Sequence, residues 1–200
     1  MQQARAAAGG DAWNGIRIWY ERGESITESG EIREYEHWGD LHTLSVRNNH
    51  PGQANFMVYD GHAAYLCADA DCVSPTALDP QGVRIGGYLT SYGYFFPDRF
   101  GASFRYRDTR EESGVQYDIV EVSPEGMSPI EIWVDRSSHR ISRLVFENGR
   151  MRTDLSDYRQ VGSIWVPFVA RDSGLTIKTT VVRLDPEDAG EIEFTLPGSD

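Results

Sequence analysis

The feature that most constrains this chain is a period of two in its apolar residues, which sets in at residue 16 and recurs nearly to the C-terminus. In IRIWYERGE, Ile16, Ile18 and Tyr20 fall on one side of an extended segment, with Arg17 and Glu21 on the other. GEIREYEHWGD and DLHTLSVRNNH continue the pattern and meet at Gly39-Asp40, and NFMVYDG and HAAYLCAD form a pair around Asp60-Gly61. The second half is a meander of similar segments: SFRYRDTREES, VQYDIVEVSP, PIEIWVDRS, RISRLVFENG, RMRTDLSDYRQV, SIWVPFVARDSG, LTIKTTVVRLDP and GEIEFTLP. Asn148-Gly149 between two of them suits a type I′ hairpin turn. The pattern predicts a mainly β (α+β) chain with one antiparallel sheet of ten or eleven strands and one or two helices. A sheet that wide curls or closes to protect its edges.

Two stretches break the alternation. QQARAAAGGDAW reads as a short alanine-rich helix that Gly9 and Gly10 weaken or end. In LDPQGVRIGGYLTSYGYFFP, Asp79 is placed as an N-cap and Pro80 as the first helical residue. Tyr88, Tyr92, Phe95 and Phe96 then share one helical face with Leu89 beside them, Tyr94 points away, and Pro97 closes the element. No repeat or linker divides the chain, so residues 1–200 are read as a single domain.

Charge narrows the partners. Nineteen basic against 31 acidic residues give a formal charge of −12. A nucleic-acid partner is excluded, because phosphate binding needs a cationic face, and docking on anionic head groups is disfavoured. No apolar run reaches the roughly 18 residues a membrane span needs.

The chemistry-bearing residues make a thin case for catalysis. There is no G-x-S-x-G elbow, and the histidines at 37, 42, 50, 62 and 139 show no H-x-H or H-E-x-x-H spacing. His37 and His42 flank a predicted turn and are read as structural or surface residues. Glu34 and Glu36 share a strand face, but such pairs arise by chance among 31 carboxylates. Asp69 and Asp71 do not make a calcium loop, which needs a central Gly and a terminal Glu. No catalytic residue, metal or cofactor is expected. Cys67 and Cys72 read as a hairpin-closing disulfide, which would point to an oxidising compartment; the alternatives are two free thiols or half of a metal site.

Large apolar side chains are abundant instead. Trp19, Trp38, Trp133 and Trp165 all lie on predicted strands, and Trp133 and Trp165 alternate against the aliphatic set of their strands. A strand apolar on both faces is covered on both. Either the aromatic helix supplies the second cover and fills the core, or the sheet wraps the helix and leaves an apolar cavity suited to a lipid or acyl chain. For the second case the candidate lining is Trp19, Trp38, Tyr88, Leu89, Tyr92, Phe95, Phe96, Trp133, Phe146 and Trp165.

The order of pieces resembles a known family. The Asp60-Gly61 hairpin, the IWVD strand at 132–135 with its turn to Arg140, and the passage from DYRQVG to Pro167 are similar to those of the periplasmic lipoprotein-carrier superfamily, with the LolA/LolB-like fold. The match spans about residues 4 to 197. The resemblance implies a strongly curved half-open barrel of about eleven strands, plugged by helices, with an apolar ligand cavity. It implies residence in a Gram-negative envelope, periplasmic or secreted, with a signal peptide removed ahead of MQQARAAAGG. It also implies a non-enzymatic role with an apolar small molecule, a lipid or a lipidated protein as partner. GGDAW, GDLHT, YDG and GSIWVPF further resemble the carrier-like module that precedes retropepsin-like aspartic-protease domains in some bacterial secreted proteins. That would make the chain an accessory module with a filled core, joined to a further domain after residue 200. Asp172-Ser173-Gly174 has the letters of the protease motif, but its surroundings read as a hairpin turn.

Overall fold

The strands that begin and end the sheet's run through the sequence lie side by side. In the computed structural model, which describes residues 1–68, 71–74, 80–146, 149–192 and 194, β1 (Ile18–Thr27) pairs antiparallel with β13 (Leu175–Leu184) from Trp19 opposite Leu184 to Thr27 opposite Leu175. From β1 the sheet steps outward through β2 (Ile32–Asp40), β3 (Val46–Asn49), β4 (Asn55–Tyr59), β5 (Ala64–Ala68) and β6 (Asp71–Val73). From β13 it steps the other way through β12 (Ile164–Arg171), β11 (Met151–Val161), β10 (Ile141–Phe146), β9 (Ile130–Asp135), β8 (Val115–Ser123) and β7 (Ser103–Glu112). The result is a curved, unclosed antiparallel sheet of 13 strands with β6 and β7 at its edges, a mainly β half-barrel. The strand count exceeds the expected ten or eleven partly because of β6. Its three residues carry no alternation and flank a stretch of small and acidic residues, yet they pair with β5.

Cys67 and Cys72 are direct cross-strand partners in that last pairing and form a disulfide. A short covalent tie at an edge opposes fraying where only one side of the strand is hydrogen-bonded. At the β1–β13 seam, in the middle of the sheet, a bulge between Arg22 and Gly23 bends β1. Gly23 is required there, since a Cβ would lie 2.0 Å from the Lys178 carbonyl oxygen.

Two helices serve the sheet. The N-terminal α1 (Gln2–Ala7) runs into a 3-10 turn over Gly10–Gly15. Ala8 accepts hydrogen bonds from the Trp165 backbone N–H at 2.9 Å and the Trp13 indole N–H at 3.0 Å, which holds this segment on β12. The longer α2 (Pro80–Thr90) lies between β6 and β7 in sequence, so it carries the chain from one sheet edge to the other. Ile85 and Tyr88 of α2 join Trp13, Trp19, Ile130, Ile132, Val166 and Phe168 in one buried cluster. At Gly87 the helix comes so close that a Cβ would sit 2.9 Å from the Leu44 carbonyl oxygen and 3.1 Å from the Tyr59 ring.

Four expectations change. The aromatic helix does not run to Pro97: it stops at Thr90, Tyr92 takes a left-handed conformation (φ 50°), and a 3-10 turn covers Gly93–Phe95. That break resets the phase, so Tyr94 is buried instead of turned away. The β2–β3 connection is not a tight Gly39-Asp40 turn, because β2 extends through Asp40. Finally, Gly190 and Glu191 of the expected last strand belong to a 3-10 turn over Glu187–Glu191, and most residues after Ile192 lie outside the described ones. Asp69, Asp79 and Asn148, on which the acidic pair, the N-cap and the Asn-Gly turn rest, also lie outside them.

Candidate functional site

The concave side of the half-barrel is not completely filled. Between the sheet and the α2 region lies a cavity of about 250 Å³, a little below the usual range of about 300–1,000 Å³ for small-molecule pockets. Its sheet wall is built mainly of apolar groups: Trp19 from β1, Leu144 and Phe146 from β10, Leu155 from β11, Pro167 and Ala170 from β12, and Ile177 from β13. The helical wall is Gly86, Leu89 and Thr90, continued by Tyr92 and Tyr94. Strand pairing explains the grouping. Ala170 is opposite both Leu155 and Ile177, so three neighbouring strands present small or aliphatic side chains together.

The helical wall owes its shape to one glycine and two tyrosines. Gly86 is helical, and a Cβ placed on it would meet nothing within 4 Å. Tyr92 packs against Trp13 and Trp19 with ring centroids 4.7 and 5.2 Å away, and Tyr94 stands edge-on to Phe95 at 4.8 Å. Burial pushes both phenols well above the usual tyrosine range, with smaller contributions from neighbouring acidic and phenolic groups.

A second, more open groove of about 560 Å³ adjoins the cavity. The two share Glu21, His37, Thr90 and Ile177 in their linings. Away from that junction the groove is mixed, with Arg33, Tyr35, Asn48, His50, Gln53 and Asn55 beside Phe56, Met57 and Leu66.

Of the ten residues proposed from sequence, Trp19, Leu89, Tyr92 and Phe146 line the cavity. The other six pack elsewhere. Tyr88, Phe95 and Phe96 belong to the buried cluster, and Tyr88 is held against Gly93, where a Cβ would lie 2.4 Å from its ring. Trp38 pairs with Tyr20 at 4.5 Å beneath the Arg183 guanidinium. Trp133 sits 5.7 Å from Tyr117 and is covered by Arg143 and Arg110. Trp165 lies under Arg140. Arginine stems and guanidinium planes thus provide the second cover for these rings, a role expected of the aromatic helix.

Sequence reasoning misses Glu21, His37, Gly86 and Tyr94 as lining residues. The period of two sets Glu21 on the charged face of β1, and that face turns out to line the cavity. His37 is only 5% exposed, whereas His42 is exposed in the turn, so the two histidines do not form a site together. No cluster of metal-ligating side chains is present among the described residues. Asp172 is a turn residue: its Oδ1 accepts the backbone N–H groups of Gly174 at 3.0 Å and Leu175 at 2.8 Å.

No protein-family model matches the sequence, and no curated protein matches it either. Solved structures do. A DUF1329 family protein from Desulfovibrio piger superposes with a TM-score of 0.62 at 14% identity, covering 98% of this chain and 96% of its own. A candidate outer membrane lipoprotein-sorting protein domain from Vibrio parahaemolyticus gives 0.60 at 12% identity, over 93% and 91%. A LolA superfamily protein from Nitrosomonas europaea gives 0.57 at 10% identity, over 92% and 94%. Similarity at these identities concerns architecture, and the architecture of this chain is the LolA-like fold: an unclosed antiparallel half-barrel crossed on its concave side by a helix.

Proposed function

We propose that this chain is a non-enzymatic carrier of the Gram-negative cell envelope that holds an apolar molecule, a lipid or a lipoprotein acyl chain, between the concave sheet and α2. The observation that carries the reading is the cavity itself, whose walls are mainly aliphatic and aromatic and which adjoins a groove of mixed polarity. A filled core would leave no such space, because protein interiors pack to the density of organic crystals. Binding would rest on burial of apolar surface, about 25 cal/mol per Å² before ordering costs are subtracted. The fold is shared with a candidate outer membrane lipoprotein-sorting domain, which favours a lipidic guest. The Cys67–Cys72 disulfide is in keeping with an oxidising compartment. Among the described residues no helix is long and apolar enough to cross a membrane.

Native mass spectrometry of the purified protein, before and after delipidation, tests the proposal. A bound mass that delipidation removes, and an environment-sensitive acyl probe that then binds, are the expected results. If no mass is carried and no apolar probe binds, the carrier reading fails.

A further inference from the structure

The junction between cavity and groove holds two polar groups that the fold does not use up. Glu21 and His37 are directly opposite on β1 and β2, and both line the cavity and the groove. The His37 side chain is buried. Its Nδ1 lies 2.6 Å from Asn48 Oδ1, while its Nε2 is buried without a hydrogen-bond partner among the described residues. With its Nδ1–H given to the Asn48 amide oxygen, the ring leaves Nε2 as an acceptor.

Glu21 adds acceptor capacity beside it. Its Oε2 accepts the Trp19 indole N–H at 3.2 Å, and its Oε1 has only a long 3.5 Å contact from the Tyr35 hydroxyl. Tyr35 has a better partner in Thr179 Oγ1 at 2.9 Å. Among the described residues no ion pair joins Glu21 to His37 or to an arginine. The Arg33 guanidinium of the groove is engaged by Glu31 at 2.8 Å.

Buried polar atoms are almost always paired, and one left unpaired beside a cavity is a place where water or a guest can supply the partner. Here the wall offers two acceptors, one of them a carboxylate, at the point where the apolar recess meets the mixed groove. We infer that the guest is an amphiphile whose polar group nearest the acyl chain is an uncharged hydrogen-bond donor, a hydroxyl or an amide N–H, and that Glu21 and His37 select it over a chain headed by a carboxylate or a phosphate. This rests on the carrier reading above. An anionic head at this position would face the Glu21 carboxylate and give the His37 Nε2 nothing to accept.

Competition against an environment-sensitive acyl probe on the delipidated protein tests it, with four ligands of one chain length: a monoacylglycerol, an N-acylethanolamine, a fatty acid and a monoalkyl phosphate. The two neutral donors should bind at least about tenfold more tightly than the two anions, and the tighter of the two names the donor. Glu21→Gln, nearly isosteric, should bring the fatty acid to within about threefold of the monoacylglycerol by strengthening the former. His37→Phe should weaken the monoacylglycerol while leaving the fatty acid unchanged. Equal binding of neutral and anionic ligands to the native protein overturns the inference without touching the carrier reading, as does a preference that survives Glu21→Gln. If none of the four displaces the probe, this inference falls while the carrier reading stands on the probe's own binding; if the probe itself does not bind, both fall. The native-protein comparison needs no variant, and circular dichroism on Glu21→Gln verifies the fold.

Discussion

Gly86 is the most informative position to perturb, because its neighbour Gly87 is a built-in control. Both are helical residues of α2, so replacing either with a residue that has a Cβ should gain about 0.8–1 kcal/mol from helix propensity alone. What differs is the space in front of them. A Cβ at Gly86 meets nothing within 4 Å and points to the cavity side of the helix, whereas one at Gly87 lies 2.9 Å from a backbone oxygen. Gly86→Leu should therefore keep the propensity gain and add part of the roughly 1.5–3 kcal/mol that a fully buried leucine contributes. For a chain of this length about 1 kcal/mol moves Tm by roughly 2–4 °C, so Tm should rise by about 2–8 °C. Gly87→Ala should lower Tm, since overpacking against backbone costs about 1–3 kcal/mol and exceeds the propensity gain. Scanning calorimetry reads both, and titration with the acyl probe reads the cavity. Gly86→Leu should bind at least about tenfold more weakly while being more stable. The reasoning fails if Gly86→Leu binds the probe like the native protein, or if it destabilises the fold as Gly87→Ala does.

Features away from the cavity carry further expectations. Burial opposes ionisation of Asp135, but hydrogen bonds from the Ser137 hydroxyl and the backbone N–H groups of Ser137 and Ser138 outweigh it and lower its carboxyl below the usual range. Asp154 behaves likewise, burial being outweighed by Arg152 and Arg143. A depressed folded value gives stability that is present above the unfolded value near about 3.9 and is lost as pH falls through the folded one. Tm should accordingly hold from about pH 8 to 5 and drop below about pH 4, and Asp135→Asn should flatten that drop. Reducing Cys67–Cys72, or replacing both residues with Ser, should cost at most roughly 2 kcal/mol in urea titrations, because the closed loop is so short. Arg143→Ala should destabilise by more than an ordinary surface change, since it uncovers Trp133 and leaves Glu112 and Asp154 with Arg152 alone; a loss under about 0.5 kcal/mol would argue against that cover.

The sheet is legible in the sequence because its signal is redundant. Alternation, turn residues and the Asp60-Gly61 hairpin, where Asp60 Oδ1 accepts the N–H groups of His62 and Ala63 at 2.8 Å, all point the same way over many segments. β6 is invisible because three residues of DCV carry no period of their own and pair only through their neighbour. The aromatic run misleads in one respect: helical periodicity assumes unbroken phase, and a left-handed Tyr92 cannot be read from side-chain spacing. Which aromatics are core and which line the cavity is likewise out of reach. A ring on a strand looks the same in sequence whether an arginine covers it, as at Trp133 and Trp165, or other rings and the cavity do, as at Trp19.

The most telling residues of the candidate site are those whose local rule and final place conflict. On pattern alone Glu21 belongs to a solvated strand face and His37 to a turn flank; the curvature of the sheet brings both under α2 instead. The chain crosses from one edge of the 13-stranded sheet to the other between β6 and β7, by way of α2, and a sheet this wide curls. Aliphatic side chains on the concave face make an ordinary core. A carboxylate and an imidazole with an open acceptor do not, and leaving them there costs stability that an apolar pair in their place would not. Natural sequences depart from local consistency chiefly where function requires it. The tension at Glu21 and His37 is therefore better evidence for a binding site than the ten aromatic and aliphatic residues that sequence alone singles out, several of which an ordinary half-barrel core would bury in any case.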